Sequence, residues 1–227
     1  APLARAVKLA QLREAMARLG ASHHLVSTVD DVAWALNLRG ADVSYNPVFL
    51  AHLLLAPEAA TLFVGAGKVP ADLRAALAAD GVQLAPYAGA AAALASLPAD
   101  AVLLVDPKRI TLGLREQVRA KVVEAINPST LLKSRKSAAE AEHIREAMRQ
   151  DGAAMCEFYA WFEAALARGE AMTELTIDEK LSAARALRPG FVGLSFPVIA
   201  GFAANGAMPH YRATPQSHAQ IAGNGLL

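Results

Sequence analysis

The sequence predicts a mixed α/β fold in two domains, residues 1–135 and 136–227. Helix-like and strand-like segments alternate along the first domain, which is typical of α/β folds. From Lys136 the pattern changes to one amphipathic helix of roughly 30 residues. A length of 227 residues is longer than one typical domain but not safely two, and either interpretation leaves room for a sizeable core.

The elements of the first domain follow from hydrophobic periodicity and from the residues that begin or end helices. The first helix, residues 3–19, ends at Gly20, and its predicted buried stripe is Leu3, Val7, Leu12, Met16 and Leu19. The other predicted helices are Thr28 or Asp30 to Leu36, Pro70 to Ala79, Ala88 to Leu97 and Arg109 to Ala120. The predicted strands are His24 to Ser27, Phe49 to Leu55, Thr61 to Val64, Gly81 to Leu84, Val102 to Val105 and Val122 to Ile126.

Residues 48–67 are almost wholly apolar, about the length that a membrane-spanning helix needs. His52, Pro57 and Glu58 interrupt this run. Because Pro and Glu are turn and surface residues, two strands joined by residues 56–59 explain the run better than a membrane span.

The second domain begins with Ser137 and Glu140, which have the spacing of a helix capping box. The long helix that follows ends at Gly169, and a second helix runs from Thr173 to Leu187. The predicted apolar side of the long helix is Ile144, Met148, Ala154 or Met155, Phe158, Trp161, Phe162 and Leu166. Residues 194–211 are predicted to form a β hairpin that turns at Asn205-Gly206, with His210 near the start of the returning strand.

The composition excludes several partners. Lys and Arg number 22 against 21 Asp and Glu, and the basic residues are scattered, so neither nucleic acid nor a membrane is expected as a partner. The single cysteine, Cys156, excludes an intrachain disulfide and fits a reducing compartment, and the N-terminus does not resemble a signal peptide. We therefore expect a cytoplasmic location.

His210 is the candidate catalytic side chain, because imidazole exchanges protons near neutral pH. An exposed or hydrogen-bonded strand histidine is the structural alternative. The other histidines have no metal-ligand spacing with it, and Tyr211 is predicted to point to the opposite face of the strand.

Other reactive residues have structural explanations. Asp30 and Asp31 lie at a helix start, where capping accounts for them. Arg39 is expected to pair with Asp42 in a loop, and Cys156 is expected to be packed within the long helix. Ser195 lacks the Gly-x-Ser-x-Gly setting of a serine nucleophile, and Gly65-Ala66-Gly67-Lys68 does not complete a phosphate-binding loop.

Several spaced motifs together resemble the Xaa-Pro aminopeptidases, also called aminopeptidase P. In order along nearly the whole chain, they are residues 33–42 (AWALNLRGAD), Asn46-Pro47-Val48-Phe49, Lys136-Ser137 with Glu140, Leu194-Ser195-Phe196-Pro197, Asn205-Gly206 and His210-Tyr211. The resemblance implies a creatinase-like α/β domain followed by the beginning of an α+β pita-bread metallopeptidase domain.

In that family two divalent metal ions, commonly manganese, activate a hydroxide that attacks the peptide bond preceding proline. The resemblance implies that His210 contacts the substrate or the tetrahedral intermediate and that Phe196 lines the same pocket. It also implies peptide substrates with proline in second position and a homodimer.

The resemblance also places the five metal ligands, two Asp, one His and two Glu, beyond Leu227, so none is expected within this chain. The chain is therefore expected to be an internal segment of a longer protein, inactive by itself. The alternatives are a non-catalytic peptide-binding module of the same fold and a prolidase-like dipeptidase.

Overall fold

A computed structural model describes residues 3–227 and divides into two compact units. The first unit ends at Ser137, and the second runs from Ala138 to Leu227. Each unit has its own hydrophobic core, so each is described by itself.

The first unit is built on a six-stranded mixed sheet with strand order β4-β3-β2-β1-β5-β6. Its strands are β1 (His23–Val26), β2 (Ala51–Leu55), β3 (Ala60–Val64), β4 (Val82–Pro86), β5 (Val102–Val105) and β6 (Lys121–Glu124). Strand β2 pairs antiparallel with both β1 and β3, whereas the β3–β4, β1–β5 and β5–β6 pairs are parallel. The two strands predicted within residues 48–67 are confirmed as β2 and β3.

Within residues 3–137, six α-helices and a short 3₁₀ helix (Tyr87–Gly89) accompany these strands. The α-helices are α1 (Arg5–Arg18), α2 (Val29–Leu36), α3 (Ala71–Ala79), α4 (Ala90–Ala95), α5 (Leu112–Arg115) and α6 (Pro128–Ser134). Successive strand residues point to opposite faces of a sheet, and the core divides in the same way. Val26 and Leu53 belong to one buried cluster, while their neighbours Leu25 and Leu54 belong to another. Because both faces of the sheet are covered, the sequences of the central strands are continuous runs of apolar residues.

One helix prediction in the first unit is wrong, and one helix was not predicted. The helix predicted over Arg109 to Ala120 is only the short α5, because the chain leaves it through turns in which Gln117 and Val118 donate to Leu114 and Arg115. Conversely, no helix is predicted after the strand over Val122 to Ile126, yet Asn127-Pro128 opens α6. Proline favours the first helical position, because that residue needs no hydrogen-bond donor there.

The buried face of α1 also differs from the prediction. Leu12 and Met16 are buried as expected, but Leu3, Val7 and Leu19 are exposed and Leu9 takes their place. Lys8, which lies outside the predicted stripe, is also buried: its Nζ lies 2.9 Å from the Trp34 carbonyl, 2.6 Å from Asn37 Oδ1 and 4.5 Å from the Trp34 ring centroid. The ammonium is tolerated because these partners replace its water.

The second unit contains the predicted long helix, α7 (Ala138–Ala167), of 30 residues. It continues through β7 (Met172–Thr173), α8 (Glu174–Ala186), a 3₁₀ helix (Ala203–Ala207) and β8 (Gln220–Ile221), and β7 pairs antiparallel with β8. The core of this unit is formed by Phe158, Ile177, Leu181 and Ala200. The outer parts of the predicted apolar side of α7, Ile144, Met148 and Leu166, are exposed.

Over residues 3–227, no helix combines the length and the apolar character that crossing a membrane requires.

Candidate functional site

The segment that carries the predicted site is not a β hairpin, so that prediction is wrong. Residues 191–202 form no regular element, and Asn205-Gly206 lies inside the 3₁₀ helix instead of a hairpin turn. The Phe202 amide bonds a carboxylate of α8, Glu174, at 2.6 Å, and the Ala203 amide bonds the Leu226 carbonyl at 2.9 Å. These backbone donors are thus satisfied without a neighbouring strand.

Glu174 is the centre of the polar network in this unit. It is the first residue of α8, directly after Thr173, which caps the helix together with Thr176. Its side chain is fully buried. Five hydrogen bonds converge on the two carboxylate oxygens: from the Phe202 amide (2.6 Å), the Ala219 amide (2.7 Å), Asn205 Nδ2 (3.0 and 3.1 Å) and the Tyr211 hydroxyl (2.5 Å). A buried carboxylate is stable only when its oxygens are satisfied in this way.

The network shifts the pKa of two of its members. Burial alone would raise the pKa of Glu174, but the hydrogen bonds from Tyr211, Phe202, Ala219 and Asn205 outweigh it and lower the pKa. The hydrogen bond to Glu174, with a smaller effect of burial, raises the pKa of Tyr211 to about 12. At neutral pH the carboxylate is therefore ionised and the phenol is protonated.

His210 lies in a tight turn next to this network. The Tyr211 amide donates to the Met208 carbonyl at 3.2 Å, Pro209 is the second residue of the turn, and His210 has a φ of 58°. Proline followed by a positive φ is the pattern of a type II turn, whose third position normally favours glycine. The imidazole is exposed, and no hydrogen-bond or ion-pair partner is found for it among residues 3–227. The Tyr211 hydroxyl bonds the buried Glu174 whereas the His210 imidazole is exposed, and the two residues lie in a turn and not in the predicted strand.

Phe196 lies in the irregular segment before the 3₁₀ helix, and 62% of its surface is exposed. Within the described part of the chain, no aromatic ring packs against it. Phe196 and His210 belong to the same unit, but no contact between them is found among its residues.

The structure also tests whether this chain could hold metal ions. No three His, Cys, Asp or Glu side chains of the described chain come together in a group that could bind one. The residues present therefore do not fit a dinuclear metal centre.

Other residues singled out from the sequence have structural partners. Asp42 forms an ion pair with Lys68 and accepts from the Leu50 amide at 2.7 Å, so the predicted pairing with Arg39 is wrong. Cys156 is exposed and not packed, because the apolar face of α7 at this level is formed by Ala154 and Phe158.

The capping expected of Asp30 and Asp31 is not found: the N-cap of α2 is Thr28, no side-chain hydrogen bond caps the helix, and both aspartates pair with α6 instead. Asp31 is buried, accepts from Thr28 (2.8 Å) and Thr130 (3.0 Å), and lies 2.7 Å from Lys133 Nζ, while Asp30 also pairs with Lys133. Burial alone would raise the pKa of Asp31, but Lys133 and the two threonines outweigh it and lower the pKa. These contacts join α6 to the start of α2.

Sequence reasoning missed Glu174, whose position looks like that of any acidic residue in a first helical turn. The one available signal was its neighbourhood in the chain, a capping threonine before an apolar helix. That signal does not indicate which distant donors the carboxylate receives.

Two protein-family models match this chain. Residues 3–140, more than half of the chain, match the model of the creatinase/prolidase N-terminal domain. The chain belongs to the creatinase/prolidase family. Residues 142–227 match metallopeptidase family M24, so the creatinase-like domain is followed by the beginning of a pita-bread domain, as the motifs predicted.

Known relatives of this family member carry the name that the motifs suggested. The chain is 31% identical to aminopeptidase P2 of Arabidopsis thaliana, covering 95% of this chain and 35% of that protein. It is 34% identical to Xaa-Pro aminopeptidase 1 of Dictyostelium discoideum, covering 94% and 35%. The predicted resemblance to Xaa-Pro aminopeptidases is confirmed, and the chain spans about a third of the length of these relatives.

The fold has a counterpart among solved structures. The X-prolyl aminopeptidase of Caenorhabditis elegans, described as a cytosolic enzyme with a di-nuclear active site, superposes with a TM-score of 0.91 at 24% identity. The match covers 98% of this chain and 38% of that one.

Proposed function

We propose that this chain is part of an Xaa-Pro aminopeptidase, which removes the N-terminal residue preceding proline. The observation that carries the proposal is the alignment of more than nine-tenths of the chain with two proteins of that name. The match of residues 142–227 to the M24 metallopeptidases supports hydrolysis as the reaction.

In this proposal His210 acts on the substrate. An exposed imidazole without a partner in its own unit can donate a hydrogen bond to a carbonyl oxygen, and that bond strengthens as the oxygen gains negative charge in the tetrahedral intermediate. Phe196, also exposed, offers an apolar surface to the same substrate. Both roles agree with the resemblance that the motifs indicated.

The proposed cofactor is a pair of divalent metal ions, manganese by resemblance. Membership of M24 and the di-nuclear site described for the C. elegans enzyme support a pair. The described residues include no cluster of three or more side chains that could bind a metal ion. The ligands would therefore have to come from outside this chain. Metal analysis of the full-length protein should give two ions per subunit, and a preparation that is active without bound metal would contradict this part.

The activity test uses the full-length protein supplied with Mn²⁺ and compares a tripeptide Xaa-Pro-Yaa with a dipeptide Xaa-Pro. We expect cleavage of the tripeptide to be favoured. Preference for the dipeptide would indicate a prolidase-like enzyme, whereas peptide binding without hydrolysis would indicate a binding module.

A substitution tests His210 itself. His210→Ala should lower kcat/KM for the tripeptide on the order of 100-fold, the usual cost of losing one donor to a developing oxyanion. His143→Ala, which removes another exposed histidine from α7, is the matched control and should retain activity. Equal activity of both variants would reject the role of His210.

The proposal includes a cytosolic homodimer. The C. elegans enzyme is described as cytosolic, and the family resemblance implies the dimer. Cell fractionation and light scattering on the full-length protein test these two points.

A further inference from the structure

The turn that carries His210 is anchored on both sides by one buried carboxylate. Before the turn, Asn205 Nδ2 donates to both oxygens of Glu174, and the Asn205 carbonyl accepts from the Met208 amide at 3.2 Å. After the turn, the Tyr211 hydroxyl donates to Glu174 at 2.5 Å and lies 2.9 Å from Asn205 Nδ2. The first and last residues of the turn are thus both linked to the Glu174 carboxylate. Met208 is linked through Asn205, and Tyr211 is linked directly.

The turn needs such an anchor because His210 adopts an unfavourable conformation. A φ of 58° places the β-carbon of an L-residue close to its own backbone, which makes this conformation unfavourable relative to ordinary ones. A conformation of this kind persists only where surrounding contacts fix it, and it turns the side chain in a direction that an extended backbone would not give.

The anchor is itself held by several contacts. Glu174 is fully buried at the N-terminus of α8, and the Phe202 and Ala219 amides occupy its remaining acceptor sites. The Glu174 amide donates to the Ala219 carbonyl at 3.1 Å, so backbone contacts as well as side-chain contacts fix the carboxylate.

We propose that Glu174 is a positioning residue for His210 and acts through Asn205 and Tyr211. It does not touch the substrate; it holds the 208–211 turn in the conformation that directs the imidazole toward solvent. This inference rests on the proposed role of His210 as the group that contacts the substrate.

The test is a double-mutant cycle on the full-length protein with the Xaa-Pro-Yaa tripeptide. Tyr211→Phe removes one hydroxyl and keeps the ring, and it should lower kcat on the order of 10-fold to 100-fold with KM little changed, as displacement of a reacting group does. In a His210→Ala background, Tyr211→Phe should produce no further loss. Two residues that act through one group show such non-additivity.

Arg185→Met is the control for general destabilisation. It removes an ion pair to Asp151 (2.6 Å) within the same unit but lies outside the Glu174 network. Its effect on kcat should be small and should persist unchanged in the His210→Ala background. Glu174→Gln, which keeps the shape of the side chain, is the second variant and should reproduce the behaviour of Tyr211→Phe.

A structural measurement accompanies the kinetics. The NMR resonances of the His210 imidazole should shift and broaden in Tyr211→Phe, while those of His143 stay unchanged. If Tyr211→Phe and Glu174→Gln leave kcat unchanged, or if their full penalty remains without His210, the positioning role is overturned. If His210→Ala alone retains full activity, the proposed role of His210 fails first and the inference fails with it.

Discussion

The phenolic oxygen of Tyr211 lies 2.5 Å from Oε2 of Glu174, across 37 positions of the chain. This bond connects the residue that follows the candidate catalytic histidine to the first turn of α8. Since one partner is ionised and the other is neutral near pH 7, the bond is charge-assisted and depends on pH in both directions.

In acid, the second unit should lose the stabilisation that comes from Glu174. Its pKa in the folded state is below the ordinary value of 4.5, so the stabilisation is complete above about pH 4.5 and disappears as the pH falls through the folded value. At pH 7, Glu174→Gln should lower the free energy of unfolding by about 2–3 kcal/mol, because the donors to one of the two oxygens lose their acceptor. The difference from the native protein should shrink toward pH 3.

Denaturant unfolding in a Trp34→Phe background measures this effect, because Trp161 then reports on the second unit alone. Glu170→Gln, an exposed glutamate just before α8, is the matched control and should stay within about 0.5 kcal/mol of the native protein. A difference between Glu174→Gln and the native protein that is independent of pH from 7 to 3 would contradict the assignment.

In alkali, the hydrogen bond to Glu174 should delay the ionisation of Tyr211. Its pKa is raised from 10.0 to about 12, so its contribution to stability is complete below about pH 10 and is lost as the pH rises through about 12. A tyrosinate absorbance titration should show one step near pH 12 that Tyr211→Phe lacks. An identical titration of the variant would show that the hydrogen bond is not present in solution.

In the first unit, Lys133→Met should destabilise the protein by about 2–4 kcal/mol, because it leaves the buried Asp31 carboxylate without its cation. Trp34 fluorescence during urea unfolding, in a Trp161→Phe background, measures the change. Lys108→Met, at an exposed position, should be neutral. Adding Asp31→Asn to Lys133→Met should recover part of the loss, and no recovery would argue against an electrostatic origin.

Gly40→Ala should destabilise the first unit by about 1–3 kcal/mol, the usual cost of inserting a methyl group into a packed site. The new Cβ would lie 2.6 Å from Phe49 Cβ and 3.1 Å from the Val48 carbonyl oxygen. Gly113→Ala in α5, where no heavy atom lies within 4 Å, is the control and should change the stability by no more than about 0.5 kcal/mol. Equal melting temperatures of the two variants would refute the close approach.

The sequence was sufficient to predict those elements whose structure depends on one local pattern. The apolar runs that became β2 and β3, the alternation along the first unit and the 30-residue helix α7 were all predicted, because periodicity and chain-breaking residues act over a few neighbours. Motif spacing gave the family. The functional role of His210 stays a prediction.

Local sequence patterns did not predict the surroundings of a side chain whose partner is distant in the sequence. Lys8 is buried because Trp34 and Asn37 meet its ammonium, and Asp42 pairs with Lys68 instead of the nearby Arg39. The spacing of apolar residues along the sequence gives no information about these pairings.

The segment around His210 shows the same division. By itself, the sequence determined that residues 194–211 would turn and would carry a histidine beside a tyrosine, but it placed the turn at Asn205-Gly206 and the histidine on a strand. Only the tertiary structure decided that the segment is an irregular loop and not a hairpin, because the buried carboxylate of Glu174, supplied by another element, satisfies the donors that a partner strand would otherwise have taken.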